Sequence, residues 1–160
     1  MNKNMANKVI FLDIDGVLNC RITNDRLHGA LGIDPDKLNR LKQIVEVTGA
    51  TIVLISSWKD YWEREYKEQQ DDFANYLDLR LKSENLQIYD KTEDKYWNRG
   101  EGILNWIKVH DVMSFIIVDD ERFDYDNFEV LSKRLIETTE GADNGGLQDT
   151  HVKRAISLLK

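Results

Sequence analysis

The stretch that most constrains the fold is residues 9–19, with the sequence VIFLDIDGVLN. Its first four residues are apolar on both faces of a strand, which is typical of a central strand in a helix-covered parallel sheet. Asp13 and Asp15 follow at the carboxyl end of this strand, where open α/β sheets bind their ligands. Residues two apart on an extended chain point the same way, so both carboxylates face one site. Gly16 then lets the chain leave the strand through backbone angles that other residues resist.

Two further apolar segments, residues 51–55 and 114–118, predict strands of the same sheet. A helix is predicted between the first two strands, because Asp34 and Pro35 form a typical helix start and Gly49 a typical helix end. Strand, helix and strand in this order form a βαβ unit, whose two strands are parallel. The predicted fold is therefore a three-layer α/β/α sandwich with a Rossmann-like parallel sheet.

The rest of the chain predicts shorter elements around this sheet. A helix is predicted for residues 58–76, because Trp58, Trp62 and Tyr66 recur at every fourth position, and residues 77–86 extend it or form another short helix. The other expected elements are a short strand at 86–89, a helix opened by residues 98–101, a short strand or helical turn within 128–136, a flexible loop at 141–146 and a closing helix at 151–159. At 160 residues we expect one domain, 1–160, with residues 1–8 as a flexible tail.

The composition argues against several classes of function. Cys20 is the single cysteine, so an internal disulfide is excluded, and His28, His110 and His151 lack the ligand spacing of a zinc site. A formal net charge of −7 does not attract polyanions non-specifically, so any contact with nucleic acid has to be local. No apolar stretch approaches the roughly 18 residues that span a bilayer, and the N-terminal residues lack an apolar signal core. We therefore expect a cytoplasmic location, no membrane contact and no obligate protein partner.

Polar residues end each of the three apolar strands. They are Asp13 and Asp15 after the first, Ser56 and Ser57 after the second, and Asp119 and Asp120 after the third. Because these ends lie on one edge of a parallel sheet, the side chains are expected to converge on one crevice. A solvated Asp-Gly turn, the simplest alternative for the first strand end, leaves the other two unexplained. Four carboxylates in one crevice repel each other unless a cation lies among them, and an oxygen-only ligand set fits Mg²⁺ best.

An acidic site of this kind suggests phosphoryl transfer. A carboxylate about 3.5 Å from a phosphate dianion meets a repulsion of roughly 9 kcal/mol at an effective dielectric near 20, which a bound Mg²⁺ removes. A hydroxyl at the second strand end can donate to a phosphate oxygen, and a cationic side chain can balance the remaining charge. Arg99, at a predicted helix start, and the nearby Lys95 are the candidates for this cation. For Arg99 the alternative is a solvated residue at the helix start.

These motifs resemble those of the haloacid-dehalogenase-like (HAD) phosphatase superfamily. Residues 11–17 (FLDIDGV) match its first motif, Ser56 its second and residues 117–120 (IVDD) its fourth, in the family's order along nearly the whole chain. The third motif is usually a lysine, whereas Arg99 stands before a glycine at that place here. Arg99 and Lys95 therefore both remain candidates for the third-motif role.

The resemblance also implies a role for each acidic residue. Asp13 would be the nucleophile that forms an aspartyl phosphate, and Asp15 would be the general acid and base. Mg²⁺ would be held by the Asp13 carboxylate, the Asp15 backbone carbonyl and an acid of the fourth motif. Asp120 is the favoured ligand of that pair, with Asp119 assisting.

A finer resemblance bears on the substrate. The SSWK run at 56–59, the Arg99-Gly100 helix start and Gly146-Leu147 before the last helix resemble the HAD domain of multi-enzyme RNA-repair proteins. The intervals that hold caps in this superfamily, here 19–34 and 58–98, leave no room for a large cap domain. An open site favours large phosphorylated substrates such as polynucleotide ends and phosphoproteins, because small metabolites usually need a lid. The aromatic residues Trp58, Tyr61 and Trp62 lie just after the second strand and could stack on a base. The alternative is that Trp58 and Trp62 are core contacts of the predicted helix on the sheet.

The leading interpretation is a Mg²⁺-dependent phosphohydrolase that cleaves phosphate monoesters through Asp13, on nucleic-acid ends or another large substrate. A small-nucleotide 5′- or 3′-phosphatase is the alternative among enzymes. A non-catalytic HAD-fold binding module is the alternative outside enzymes, although such a module has no need for Asp15. A receiver-like signalling domain is phosphorylated on an aspartate that has no second aspartate two residues later. In this chain Asp15 follows Asp13 at that spacing, so the pattern does not match.

Overall fold

The computed structural model describes residues 8–95, 97–141 and 145–160. The strands are β1 (Lys8–Leu12), β2 (Arg26–Leu27), β3 (Ala30–Leu31), β4 (Thr51–Leu54), β5 (Ile88–Lys91), β6 (Ser114–Asp119) and β7 (Leu135–Glu137). The helices are α1 (Pro35–Thr48), α2 (Asp72–Lys82), α3 (Arg99–Lys108), α4 (Glu129–Ser132) and α5 (Asp149–Leu158), with 3₁₀ turns at Ser57–Asp60 and Tyr125–Asn127. Five strands form one parallel sheet in the order β5-β4-β1-β6-β7, and β2 and β3 form a separate hairpin.

Strand β1 lies at the centre of the sheet because both of its faces are apolar. It pairs in parallel with β4 on one side and with β6 on the other. Ile10 and Leu12 belong to the core that packs against α1, α2 and α5, whereas Val9 and Phe11 belong to the core beneath α3 and α4. Alternation along the strands thus divides the interior into two apolar layers. This confirms the predicted α/β/α sandwich, and the described residues contain no large cap domain.

Helix α1 has the boundaries that its sequence specifies. The Asp34 side chain accepts the N–H of Asp36 at 2.9 Å, and Pro35 is the first helical residue. Gly49 ends the helix with a φ of 72°, a left-handed conformation that glycine adopts without strain. The helix returns the chain so that β4 runs parallel to β1, and both strands then end at the same edge of the sheet.

The helix predicted for residues 58–76 is wrong. The chain instead forms the 3₁₀ turn, an irregular segment at 61–71 and then α2. Ser56 caps the 3₁₀ turn by accepting the N–H of Trp58, and Asp71 caps α2 by accepting the N–H of Phe73 at 2.8 Å. Asp71 is thus a helix-start signal inside the segment, which the aromatic periodicity obscured.

The irregular segment is held by a buried side chain rather than by helical hydrogen bonds. The Gln69 side chain accepts the N–H of Glu63 at 2.8 Å and donates to the Glu63 carbonyl at 2.7 Å. Trp58 and Trp62 are buried, in agreement with their apolar spacing, but Tyr66 is exposed. The periodicity therefore identified two core residues correctly and their backbone conformation wrongly.

The remaining differences from the predicted elements are small. The strand expected at 86–89 is β5 at Ile88–Lys91, the segment 128–136 contains both α4 and β7, and α5 begins two residues earlier than predicted. Lys8, assigned to a flexible tail, is the first residue of β1; residues 1–7 and 142–144, which were expected to be flexible, lie outside the described residues. No helix in the described part of the chain has the length and apolar character needed to cross a membrane.

Candidate active site

The carboxyl ends of β1, β4 and β6 surround a cavity of about 370 Å³. Its lining includes five residues of the predicted set: Asp13, Asp15, Ser57, Arg99 and Asp120. The other lining residues are Lys59, Asp60, Asp94, Glu121, Phe123 and Glu140. Of the remaining predicted residues, Asp119 is fully buried against Arg99, Ser56 is buried at the end of β4, and Lys95 is exposed. None of these three residues belongs to the cavity lining that the described residues form.

Asp13, Asp119 and Asp120 form a compact cluster at this edge of the sheet. Each offers a carboxylate oxygen, and these oxygens lie within 4.8 Å of one another. Burial raises the pKa of Asp13 well above its ordinary value, and the Asp119 carboxylate raises it further, whereas the Arg99 charge opposes this rise. Burial likewise raises the pKa of Asp120 to about 6. The ionised forms of Asp13 and Asp120 are therefore unfavourable here, because burial removes their hydration and the nearby Asp119 carboxylate repels them. A divalent cation with a preference for oxygen ligands fits this cluster.

Asp119 is held by three hydrogen bonds from neighbouring groups. Its Oδ2 accepts from Arg99 Nη1 and from the Tyr125 hydroxyl, both at 2.8 Å, and its Oδ1 accepts from the Glu121 N–H at 3.0 Å. The Asp120 side chain differs, since it is only partly buried and lines the cavity. Asp119 is therefore a buried residue that holds Arg99 and Tyr125 in place, whereas Asp120 lines the cavity.

Arg99 forms ion pairs with both Asp13, the candidate nucleophile, and Asp119. Its Nη1 lies 3.3 Å from Asp13 Oδ1, and its guanidinium carbon lies 4.2 Å from the centre of the Phe123 ring. Burial opposes the charge of Arg99, but the carboxylates of Asp13 and Asp119 outweigh it and raise the pKa of the guanidinium. Arg99 is thus a permanent cation placed against Asp13, whereas the rival Lys95 is exposed to solvent.

The start of α3 is fixed by a residue distant in sequence. The Asp124 carboxylate accepts the N–H of Gly100 at 2.6 Å and that of Glu101 at 3.2 Å, which caps the helix that carries Arg99. A Cβ atom on Gly100 would come within 2.9 Å of Asp124, so glycine leaves room for this cap. Gly100 therefore helps to fix the start of α3, and with it the position of the Arg99 guanidinium.

Gly16 has a comparable role at the end of β1. Its φ of 80° is one that side-chain-bearing residues rarely adopt, and a Cβ atom there would overlap the Asp120 carboxylate. The Gly16 carbonyl also accepts the Thr138 hydroxyl at 2.6 Å, which fixes the turn to the end of β7. The glycine of the Asp-x-Asp-Gly motif therefore permits the close approach of the two acidic strand ends.

Asp15 occupies an environment unlike that of Asp13. Asp13 is buried, whereas Asp15 is exposed at the mouth of the cavity. Both oxygens of the Asp15 carboxylate accept a hydrogen bond, one from Trp58 Nε1 at 3.1 Å and one from Asn19 Nδ2 at 3.0 Å. One acid is thus enclosed beside a guanidinium, and the other is held at the surface by neutral donors.

Lys59 is a cavity residue that the sequence did not identify. Its Nζ lies 2.7 Å from Asp94 Oδ2 and donates to the Ile55 carbonyl at 3.2 Å, with both side chains of the ion pair almost fully buried. The signals in the sequence were its place three residues after Ser56, just beyond the second strand, and its position at the end of the SSWK run. Its partner Asp94 comes from the loop after β5, which no local pattern connects with it.

The aromatic residues after β4 divide into two groups. Trp58 and Trp62 are 7% and 3% exposed, and they pack within the core as the structural alternative predicted. Tyr61 is 54% exposed and stacks on Phe73 with a centroid distance of 6.0 Å. Of the three, only Tyr61 presents a ring to solvent.

The fold and the site define an HAD-like domain: a parallel sheet whose central strand ends in Asp-x-Asp-Gly, opposite two further acids on the adjacent strand. A family model described as the HAD domain in Swiss Army Knife RNA repair proteins matches residues 9–152. The chain belongs to this family, which confirms both the superfamily and the finer resemblance to RNA-repair proteins. Membership suggests phosphohydrolase activity in general. Searches of curated proteins and of solved structures returned no match.

Asp13→Asn is expected to stabilise the metal-free protein at neutral pH. Because the pKa of Asp13 is raised on folding, the folded state binds more protons, so wild-type stability falls as pH rises from about 4 through the raised pKa. Asparagine has nearly the same shape but no charge, so it avoids the free-energy penalty of ionising a buried carboxyl group at this position. In EDTA at neutral pH, we expect the melting temperature to rise by roughly 2 °C or more, which corresponds to about 1 kcal/mol in the free energy of unfolding. Near pH 4 this difference should disappear.

The control for this change is Asp111→Asn, which alters an exposed aspartate outside the cavity. It should leave the melting temperature unchanged at both pH values. A destabilised Asp13→Asn protein at neutral pH would contradict the charge imbalance inferred for the cluster.

Proposed function

We propose that this protein is a Mg²⁺-dependent phosphohydrolase that cleaves phosphate monoesters through an aspartyl phosphate on Asp13. The observation that carries the proposal is the placement of Asp13. Its buried carboxylate lies beside Asp119 and Asp120, opens onto a cavity and is contacted by Arg99. Structural ion pairs also bury carboxylates, but three carboxylates and one guanidinium leave an excess of negative charge that a purely structural role does not explain.

Asp13 and Asp120, together with the backbone carbonyl of Asp15, are the groups that would hold Mg²⁺. Asp120 is the favoured carboxylate of the fourth motif, because the Asp119 oxygens already accept three hydrogen bonds. When bound, Mg²⁺ supplies positive charge that offsets the repulsion between Asp13 and a phosphate dianion.

The two aspartates of the first motif divide the chemistry between them. The Asp13 carboxylate attacks phosphorus while the bond to the ester oxygen breaks, and Asp15 donates its proton to that leaving oxygen. Asp15 then accepts a proton from the water that attacks the aspartyl phosphate, which releases inorganic phosphate and restores Asp13. The buried Asp13 and the exposed Asp15 suit these roles, since only Asp15 has to reach the leaving group.

The phosphate oxygens would be bound by groups around Asp13. Arg99 lies against Asp13 and can interact with an attacked phosphate and with the nucleophile together. The Ser57 side chain is exposed in the cavity, and Lys59 lines it beside Asp94. Lys59 is therefore a candidate phosphate contact in addition to those identified from the sequence.

The open cavity supports a large substrate that presents a terminal phosphate, such as a polynucleotide end. The described residues contain no cap domain that could enclose a small substrate. The family is described as a domain of RNA repair proteins, which supports a nucleic-acid substrate. Tyr61 follows the cavity residue Asp60 in the chain and is exposed, so its ring is a candidate for stacking on a base.

Hydrolysis of para-nitrophenyl phosphate should require both Mg²⁺ and Asp13. We expect Asp13→Asn to lower kcat by about 10³-fold or more, because it removes the carboxylate that forms the covalent intermediate. Asp15→Asn should lower kcat by roughly 10²-fold or more, because Asp15 also activates the water that hydrolyses the aspartyl phosphate. EDTA should abolish turnover, and added Mg²⁺ should restore it. Turnover that survives Asp13→Asn would contradict the proposal, and absence of turnover in the wild type with Mg²⁺ would favour the binding-module alternative.

The third-motif cation can be identified by comparing two neutral substitutions. Arg99→Gln should lower kcat/KM by about 10²-fold or more, because it removes a charge that contacts the nucleophile. Lys95→Gln is the matched control on an exposed side chain and should stay within about twofold of wild type. Circular dichroism of both variants checks that they are folded. A larger loss in Lys95→Gln would reverse the assignment.

Substrate class can be determined with matched phosphates. We expect higher kcat/KM for oligonucleotides that carry a 3′- or 5′-phosphate than for mononucleotides or a phosphopeptide. Because the acidic surface permits few backbone contacts, the logarithm of kcat/KM should fall only shallowly with that of salt, with a slope of magnitude about 1–2. A preference for mononucleotides would favour the small-nucleotide phosphatase instead.

A further inference from the structure

The Asp15 carboxylate is exposed, yet it is held by two buried donors. Trp58, 7% exposed, donates to Oδ2, and Asn19, fully buried, donates to Oδ1. An exposed aspartate normally samples several rotamers in water. Hydrogen bonds to both oxygens from side chains that cannot themselves move freely restrict this one to a single orientation at the mouth of the cavity.

The indole of Trp58 is fixed by its own packing. Its ring meets Phe73 edge-on at a centroid distance of 5.6 Å and lies 6.4 Å from the Tyr76 ring, both on α2. Its backbone N–H donates to the Ser56 side chain at the end of β4. The donor atom is therefore placed from two directions, by the sheet and by α2.

Asn19 is fixed by hydrogen bonds on both sides of its amide. Its Oδ1 accepts the N–H of Gly16 at 2.9 Å, and its Nδ2 also donates to the Gly32 carbonyl at 2.9 Å. These bonds connect the turn after β1 with the far end of the segment that carries the β2–β3 hairpin. With all of its contacts made inside the protein, the amide has little freedom to release Asp15.

We propose that Trp58 is a positioning residue for the general acid, acting through its hydrogen bond to Asp15, with Asn19 as the second support. The inference rests on the proposed function, because it assigns Asp15 the proton that the leaving oxygen receives when the Asp13–phosphorus bond forms and the ester bond breaks. Proton transfer requires the acid within hydrogen-bond reach of that oxygen, so a carboxyl that rotates away loses its effect. Trp58 itself touches no reacting atom.

The chain offers a closely matched control in Trp62. It is 3% exposed, and its Nε1 donates to Asp78 Oδ1 at 2.9 Å, so both tryptophans are buried and donate to an aspartate. Asp78 does not line the cavity. Substitution by phenylalanine removes an indole N–H and part of a ring at both sites, but only Trp58→Phe removes a bond to Asp15.

The test compares two aryl phosphates that differ in their need for a proton. Phenyl phosphate has a poor leaving group that requires the general acid, whereas para-nitrophenyl phosphate has a good one that depends on it much less. We expect Trp58→Phe to lower kcat/KM for phenyl phosphate about tenfold more than for para-nitrophenyl phosphate. Trp62→Phe should change the two substrates equally, because loss of packing alone does not distinguish leaving groups.

A second measurement detects the hydrogen bond without catalysis. In a proton–nitrogen correlation spectrum, Asp15→Ala should shift the indole N–H signal of Trp58, which is assigned by its loss in Trp58→Phe. The signal of Trp62 should stay in place.

Three results would overturn the proposal. They are an unmoved Trp58 signal, equal losses on the two phosphates in Trp58→Phe, and a selective loss in Trp62→Phe. Each of them leaves the proposed function intact as long as turnover still requires Asp13. Turnover that persists in Asp13→Asn, or that is absent in wild type with Mg²⁺, instead rejects the proposed function, and the role of Trp58 falls with it.

Discussion

The buried Asp13 carboxylate is the constraint on which the rest of the site depends. Seven carboxylates of the described residues line the cavity, but only two cations do. Both cations are already engaged, Lys59 with Asp94 and Arg99 with Asp13 and Asp119. Removing Asp13 from water raises the energy of its charge, and Asp119 beside it adds repulsion. The protein therefore compensates this edge of the sheet incompletely, and either a bound cation or a proton on Asp13 supplies the missing positive charge.

The parallel sheet explains how such an arrangement can exist in a stable domain. Two apolar layers on either side of β1 hold the strand rigidly, so the acidic strand end is displaced neither by repulsion nor by solvent. Supports from distant parts of the chain then orient each group: Asp124 caps the helix of Arg99, Tyr125 holds Asp119, and Trp58 contacts Asp15. Stability supplied by the core thus permits an electrostatically unfavourable site.

The sequence was sufficient for the features that depend on local chemistry. The strands rich in β-branched residues, the Asp34-Pro35 helix start and the acids at the strand ends all lie where their patterns predicted. The segment at 58–76 was not predictable from spacing, because buried aromatic residues four apart also fit a 3₁₀ turn followed by a loop that Gln69 holds. The Lys59–Asp94 pair and the Trp58–Asp15 bond join residues 35 and 43 positions apart, so no local pattern reveals them.

The same charge imbalance limits how a nucleic acid could be bound. Asp60, Glu121 and Glu140 are exposed around the cavity, and they would repel the backbone of an extended polyanion. A terminal phosphate differs from the backbone, since it would approach the Mg²⁺ that we propose for the Asp13 cluster. Affinity would then come mainly from the end group, with at most a local aromatic contact at Tyr61. An acidic surface is therefore compatible with action on nucleic-acid ends, because it favours recognition of the end group over binding along the strand.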